Sequence, residues 1–175
     1  QALHAELAWV HNRPHHTIKY RPGSPAVIPH LVAHEFEHIR LAHDARQADR
    51  SRLYTTNERT RAEAMRYIGR DVNKLQRMGL DRHTVDQYVD EVIGGLANQL
   101  FNIPLDMVIE HRIYHDELFL RPSQLASLHA TYQEALQALT DPAIEKMAPT
   151  RIYRANIAMN CALALCVDAL FGAAT

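Results

Sequence analysis

Apolar positions along the chain recur mostly at helical spacing. From Ser24-Pro25 to about Ala45, Leu31, Val32, Phe36, Ile39 and Leu41 supply the apolar positions of a buried helix opened by the Ser-Pro pair. Asn57 caps a second predicted helix, long and polar, that reaches Met78 and ends at Gly79. Asp81 caps a third, running to about Phe101. Asn102-Ile103-Pro104 breaks the chain, and Pro104 suits the first turn of a further helix ending near Glu117. Pro122-Ser123 opens a helix to about Leu139, Asp141-Pro142 a short one, and Pro149-Thr150 the last, to about Phe171. The N-terminal region differs. His16 to Tyr20 alternates and stops at Arg21-Pro22-Gly23, which predicts a short strand. Residues 1–13 place Leu3, Leu7 and Val10 at helical spacing and read as helical or irregular, and residues 46–56, polar and aperiodic, read as a loop. The expected fold is mostly α, with a short N-terminal strand or small sheet.

Composition narrows the class. The 175 residues suit one domain, 1–175, and the start at Gln1 reads as a piece of a longer protein. With 47% hydrophobic and 22% charged residues the chain can fill a core, which excludes disordered, collagen-like and disulfide-framework proteins. A net charge of -1 argues against a nucleic-acid binder. Residues 40–82 carry eleven basic and six acidic side chains, and residues 83–120 one basic and seven acidic, a pattern expected of two oppositely charged helices that face each other. Cys161 and Cys166 stand five apart on one predicted helix, point to different faces and should not bridge. The lack of a disulfide pattern favours the cytoplasm. The apolar stretch Ala155 to Thr175 contains Asn156, Asn160 and Asp168, so a buried C-terminal helix is expected rather than a membrane span.

The 12 histidines stand out, and five residues give them a chemistry. His34-Glu35-Phe36-Glu37-His38 is an H-E-x-x-H. On a helix, positions i and i+4 share a face, so both imidazoles can reach one zinc ion. Glu35 lies one residue around the helix and can act as general base toward a water at the metal's open position. Without metal, the same motif would be a core helix with two hydrogen-bonded histidines.

A hydrolytic zinc site needs a third protein ligand. Asp44 and His43 are rotated too far around the helix from His38. Glu58 and Glu63 are alternatives on a helix rich in arginine, where surface ion pairing is the plain explanation. The strongest candidates are Asp106 and Glu110, four apart among Leu105, Met107, Val108, Ile109 and Ile113. Burying a carboxylate there is costly unless it is paired or bound to metal. One of the two can hold zinc while the other orients a histidine's far nitrogen. A di-iron bundle requires two E-x-x-H pairs, and Glu35/His38 is the only one. Tyr114, His111 and His115 are candidates for contacting the oxyanion or substrate, and His30 is expected at the rim of the site.

The stretch Leu31 to Leu41 resembles the active-site helix of the zincin metallopeptidases, from which it departs at the charged Glu37 and Arg40. Asn102 to Ile109 resembles a segment of metallopeptidases that occur beside von Willebrand A-like domains. These resemblances imply an α+β zincin-like domain that hydrolyses peptide bonds in a protein or peptide substrate with Zn2+. The zinc would be held by His34, His38 and a carboxylate, with Glu35 as base. The gluzincin analogy favours Glu110 as third ligand and the second resemblance favours Asp106; Glu110 is preferred. In zincins an edge strand aligns the extended substrate, a role the resemblance would give to the residues near Thr17 to Tyr20. The alternative is a non-catalytic helical binding or regulatory module on the same scaffold, with zinc structural or lost.

Overall fold

The computed structural model describes residues 3–20, 24–51 and 57–172. It is mostly helical. Two short strands, β1 (Leu3–Glu6) and β2 (Thr17–Tyr20), pair antiparallel with Ala5 opposite Ile18 and Glu6 opposite Thr17. The helices are α1 (Ile28–Gln47), α2 (Glu58–Arg77), α3 (Arg82–Asp116), α4 (Arg121–Thr140), α5 (Pro142–Met147) and α6 (Thr150–Phe171), with a 3-10 turn at Leu118–Leu120.

Local chemistry explains most boundaries. Asn57 caps α2 by accepting from the Thr60 amide, and Asp81 accepts from the Thr84 amide at the start of α3. Gly79, at φ +92°, follows the end of α2 in the left-handed region that glycine tolerates. Asp141 caps α5 through the Ala143 amide, with Pro142 in the first turn.

Four expectations need correction. Leu3 to Glu6 is a strand, because pairing with β2 satisfies its backbone and four residues are too few for helical spacing to decide. Helix α1 begins at Ile28 with Pro29 in its first turn, not at Ser24-Pro25, which forms a turn closed by the Val27 amide on the Ser24 carbonyl. Helix α3 runs unbroken through Pro104. Proline costs an interior helix about 3 kcal/mol. The C-terminal helix α6 is not a buried one: Val167 is its one buried residue, and Leu165 is 70% exposed. By length and composition alone, α3 and α6 are long and apolar enough to cross a membrane. The expected turn at 21–23 and most of the expected loop, residues 52–56, lie outside the described residues. Cys161 and Cys166 are free thiols.

The chain forms two compact units. One comprises residues 1–53, 105–131 and 166–175. Its core is Ile109, Ile113 and Leu120, with Ala33 and Leu41 of α1 packed against them. The other comprises residues 54–104 and 132–165. In it Ile68, Val72 and Leu75 of α2 meet Val85 and Val89 of α3. Fully burying a side chain of this size stabilises by about 1.5–3 kcal/mol.

Candidate metal centre

Chemistry-bearing side chains converge in the first unit. A cleft in the second unit, lined by residues such as Val92, Leu96, Ile144 and Met147, has no histidine, cysteine or carboxylate in its lining.

Two helix stripes face each other in the first unit. His30, His34 and His38 stand one turn apart along α1, and Asp106 and Glu110 one turn apart along α3. The stripes run in opposite directions. Glu110 meets His30 and His34, while Asp106 meets His34 and His38. His34 is therefore shared, and its two ring nitrogens serve different carboxylates.

On one side, His34 Nε2 lies 3.1 Å from His38 Nε2. Asp106 Oδ1 lies 3.4 Å from the first and 3.2 Å from the second. Oδ1 is buried and has no hydrogen-bond partner among the described residues, so these are close approaches without hydrogen-bond geometry. The triangle has the right size for a cation. Tetrahedral zinc with bonds of about 2.0–2.1 Å separates its ligand atoms by about 3.3 Å. The donor set of two imidazoles and one carboxylate suits zinc, and an orphaned buried oxygen is what such an ion would satisfy.

On the other side, His34 Nδ1 lies 2.8 Å from Glu110 Oε1. Glu110 Oε2 accepts from Gln124 Nε2 at 2.6 Å and meets His30 Nε2 at 2.9 Å. Residues His30, His34 and Glu110 are also spaced as a metal set. However, both oxygens of Glu110 already meet hydrogen-bond partners, so the open valences belong to the Asp106 side.

The electrostatics follow from this placement. Burial opposes charge on His34, but the close approach and attraction of Asp106, with the hydrogen bond and attraction of Glu110, outweigh it and raise the pKa from 6.5 to about 10. Burial pushes Glu110 up, yet His30 and His34 hold it down at about 2, from 4.5. Asp106 is likewise lowered, with His34 and His38 overcoming burial.

Glu35 is buried and its Oε2 accepts from the backbone amide of Ala5 at 2.6 Å. That amide points away from β2, which makes Ala5 and Ile18 a non-hydrogen-bonded pair and turns the far edge of β1 toward α1. The strand beside the motif helix is thus β1, not the expected Thr17–Tyr20.

The remaining expected residues are dispersed. Glu110, expected as third ligand, sits at the His34 nitrogen that faces away from His38. Tyr114 packs between Arg121, 4.0 Å from its ring centre, and Phe171, which meets it edge-on at 4.8 Å. His111 and His115 are exposed and pack their rings on each other at 4.4 Å. Glu63 pairs with Arg59 and Arg66 in the second unit, to which Glu58 also belongs. His30, expected at the rim, is 2% exposed, because its ring turns inward to Glu110. The charges on Glu37 and Arg40 have a structural cause: Glu37 pairs with Arg40 at 3.1 Å and with Arg112 at 3.6 Å. Gln124 is the residue that sequence reasoning missed. Its only signal is a polar side chain between Leu120 and Leu128, both buried.

No protein-family profile, curated protein or solved structure matches this chain.

Proposed function

We propose that the chain is a zinc-dependent peptide hydrolase of zincin type, with His34, His38 and Asp106 as the metal ligands. The observation that carries this reading is the triangle of two Nε2 atoms and Asp106 Oδ1, with sides of 3.1 to 3.4 Å and, at one corner, a buried oxygen without a hydrogen-bond partner among the described residues. Bound there, zinc would supply a Lewis acid that polarises a carbonyl and lowers the pKa of a water. The chain's own groups do the rest. Glu110 accepts a hydrogen bond from His34 Nδ1–H and so leaves Nε2 free for the metal. The Ala5 amide holds Glu35 Oε2, which leaves Oε1 to accept a proton from the attacking water and pass it to the leaving amine. An extended peptide is the substrate that a neighbouring strand edge would align.

The Ala5–Glu35 contact also favours a second reading, in which Glu35 is a structural tie and the site is a structural metal centre of a helical binding module. Glu35→Gln separates the two. The amide oxygen still accepts from Ala5, so fold and metal survive in both readings. Cleavage of a peptide library by the wild-type protein, lost in Glu35→Gln at unchanged zinc content, supports the hydrolase. Cleavage that persists in the variant overturns Glu35 as base, and zinc bound without any cleavage favours the structural centre.

A further inference from the structure

Glu110 is held from three directions. Its Oε1 meets His34 Nδ1 at 2.8 Å, and its Oε2 meets His30 Nε2 at 2.9 Å and Gln124 Nε2 at 2.6 Å. Gln124 also donates to the Glu110 backbone carbonyl at 2.9 Å. His30, Glu110 and Gln124 are each 2% exposed or less.

The unused ends of two of these side chains are informative. His30 Nδ1 and Gln124 Oε1 are both buried without a hydrogen-bond partner among the described residues. Each residue therefore aims a single donor at the carboxylate and leaves its acceptor unsatisfied, at a cost in stability. Neither can be turned over profitably, since Gln124 would then aim its carbonyl oxygen at a carboxylate and His30 would offer a C–H in place of its N–H. His30 is in turn fixed from outside: its backbone amide donates to Ser123 Oγ at 3.2 Å, and that hydroxyl donates to the Ala26 carbonyl at 2.6 Å. A pair of orphaned acceptors is a poor way to stabilise a core but a good way to fix the direction of one carboxylate.

We propose that His30 and Gln124 are positioning residues for His34: acting through Glu110, they fix the imidazole so that Nε2 is the atom presented beside His38 and Asp106. The proposal rests on the assignment of those three residues as the metal set. It places the control of that set in a residue of α4 and in the first turn of α1, neither of which touches the metal position. Partners that orient a ligand typically change metal affinity about ten- to a hundredfold when removed, and residues one step further out should act near the lower end.

The test uses the whole chain. Zinc affinity is read by competition with a chromophoric chelator, and the His34 ring by long-range 1H–15N NMR. In wild-type protein, with or without zinc, the His34 Nδ1 proton should be sharp and slow to exchange with water. His30→Phe keeps a ring but removes the donor; it should weaken zinc binding about tenfold and broaden that proton. His30→Gln returns an N–H and should recover most of both effects. Gln124→Met removes the other donor and should act like His30→Phe; should His30→Phe fail to fold, Gln124→Met alone decides. A sharp Nδ1 proton with unchanged zinc affinity in these variants would overturn the proposal. Wild-type protein that binds no zinc, yet loses its sharp Nδ1 proton in His30→Phe, would refute the metal reading and leave the positioning of His34 standing.

Discussion

The imidazole of His34 meets the carboxylate of Glu110 through Nδ1, at 2.8 Å, and so turns its other nitrogen toward Asp106. This one contact separates the two carboxylates by role. It predicts that Asp106→Ala abolishes stoichiometric zinc binding. Glu110→Gln should instead keep one zinc per chain and weaken it about ten- to a hundredfold, as loss of an orienting partner does. Elemental analysis and chelator competition on both variants check the ranking, and the reverse order would make Glu110 the ligand.

A second prediction concerns Glu35. Its partner is a main-chain amide, so Ala5→Pro removes the donor without touching a β1–β2 ladder bond. The buried carboxylate oxygen would then lack its bond, a loss of about 1–3 kcal/mol. A fall in urea midpoint with retained zinc is the expected result. An unchanged midpoint would show that the contact contributes nothing.

The pH dependence of the metal-free protein follows from His34 and the two carboxylates that face it, Asp106 and Glu110. The pKa of His34 is raised from 6.5 to about 10, so its stabilisation is complete below pH 6.5 and fades as pH climbs toward 10. Glu110 is lowered from 4.5 to about 2, so its contribution is complete above pH 4.5 and fades toward pH 2. The pair therefore contributes most between pH 4.5 and 6.5. Urea midpoints of the metal-free chain should decline on both sides of that window, and Glu110→Gln should lessen both declines without removing them, since Asp106 still faces His34. A wild-type midpoint that rises between pH 6.5 and 10 would contradict the pairing.

Zinc should couple to stability. A ligand that binds only the folded state at a hundredfold excess over its Kd adds about 2.7 kcal/mol. Ile109→Ala, which empties a fully buried position beside the site, should cost about 2–5 kcal/mol. Saturating zinc should restore part of that loss in the thermal midpoint, and His38→Ala should remove the rescue.

Much of the site is legible in the linear chain. The spacing of His34 and His38 places them on one face, and two carboxylates four apart in an apolar run are conspicuous because burial without partners is unfavourable. Which carboxylate meets which nitrogen is not legible. That depends on the opposed direction and the offset of α1 against α3, a tertiary quantity. The burial of His30 follows from the same offset. Gln124 reaches Glu110 from α4, and no periodicity marks a lone amide as a donor to another helix. Helix ends set by side-chain caps, as at Asn57, Asp81 and Asp141, were readable because cap and amide are neighbours in sequence. Leu3 to Glu6 was not, since a strand of four residues is defined by its partner.

Pro104 has a consequence for how α3 opens. The boundary between the two compact units falls between Pro104 and Leu105, inside a continuous helix, at the residue that cannot donate a backbone bond. Cooperativity in a helix is passed from turn to turn by those bonds, and here it is interrupted. Residues 82–103 are secured by the core around Val85 and Val89, and residues 105–116 by Ile109 and Ile113. Amide hydrogen exchange should therefore divide α3 into two separately protected stretches, one helix by geometry and two by free energy of opening.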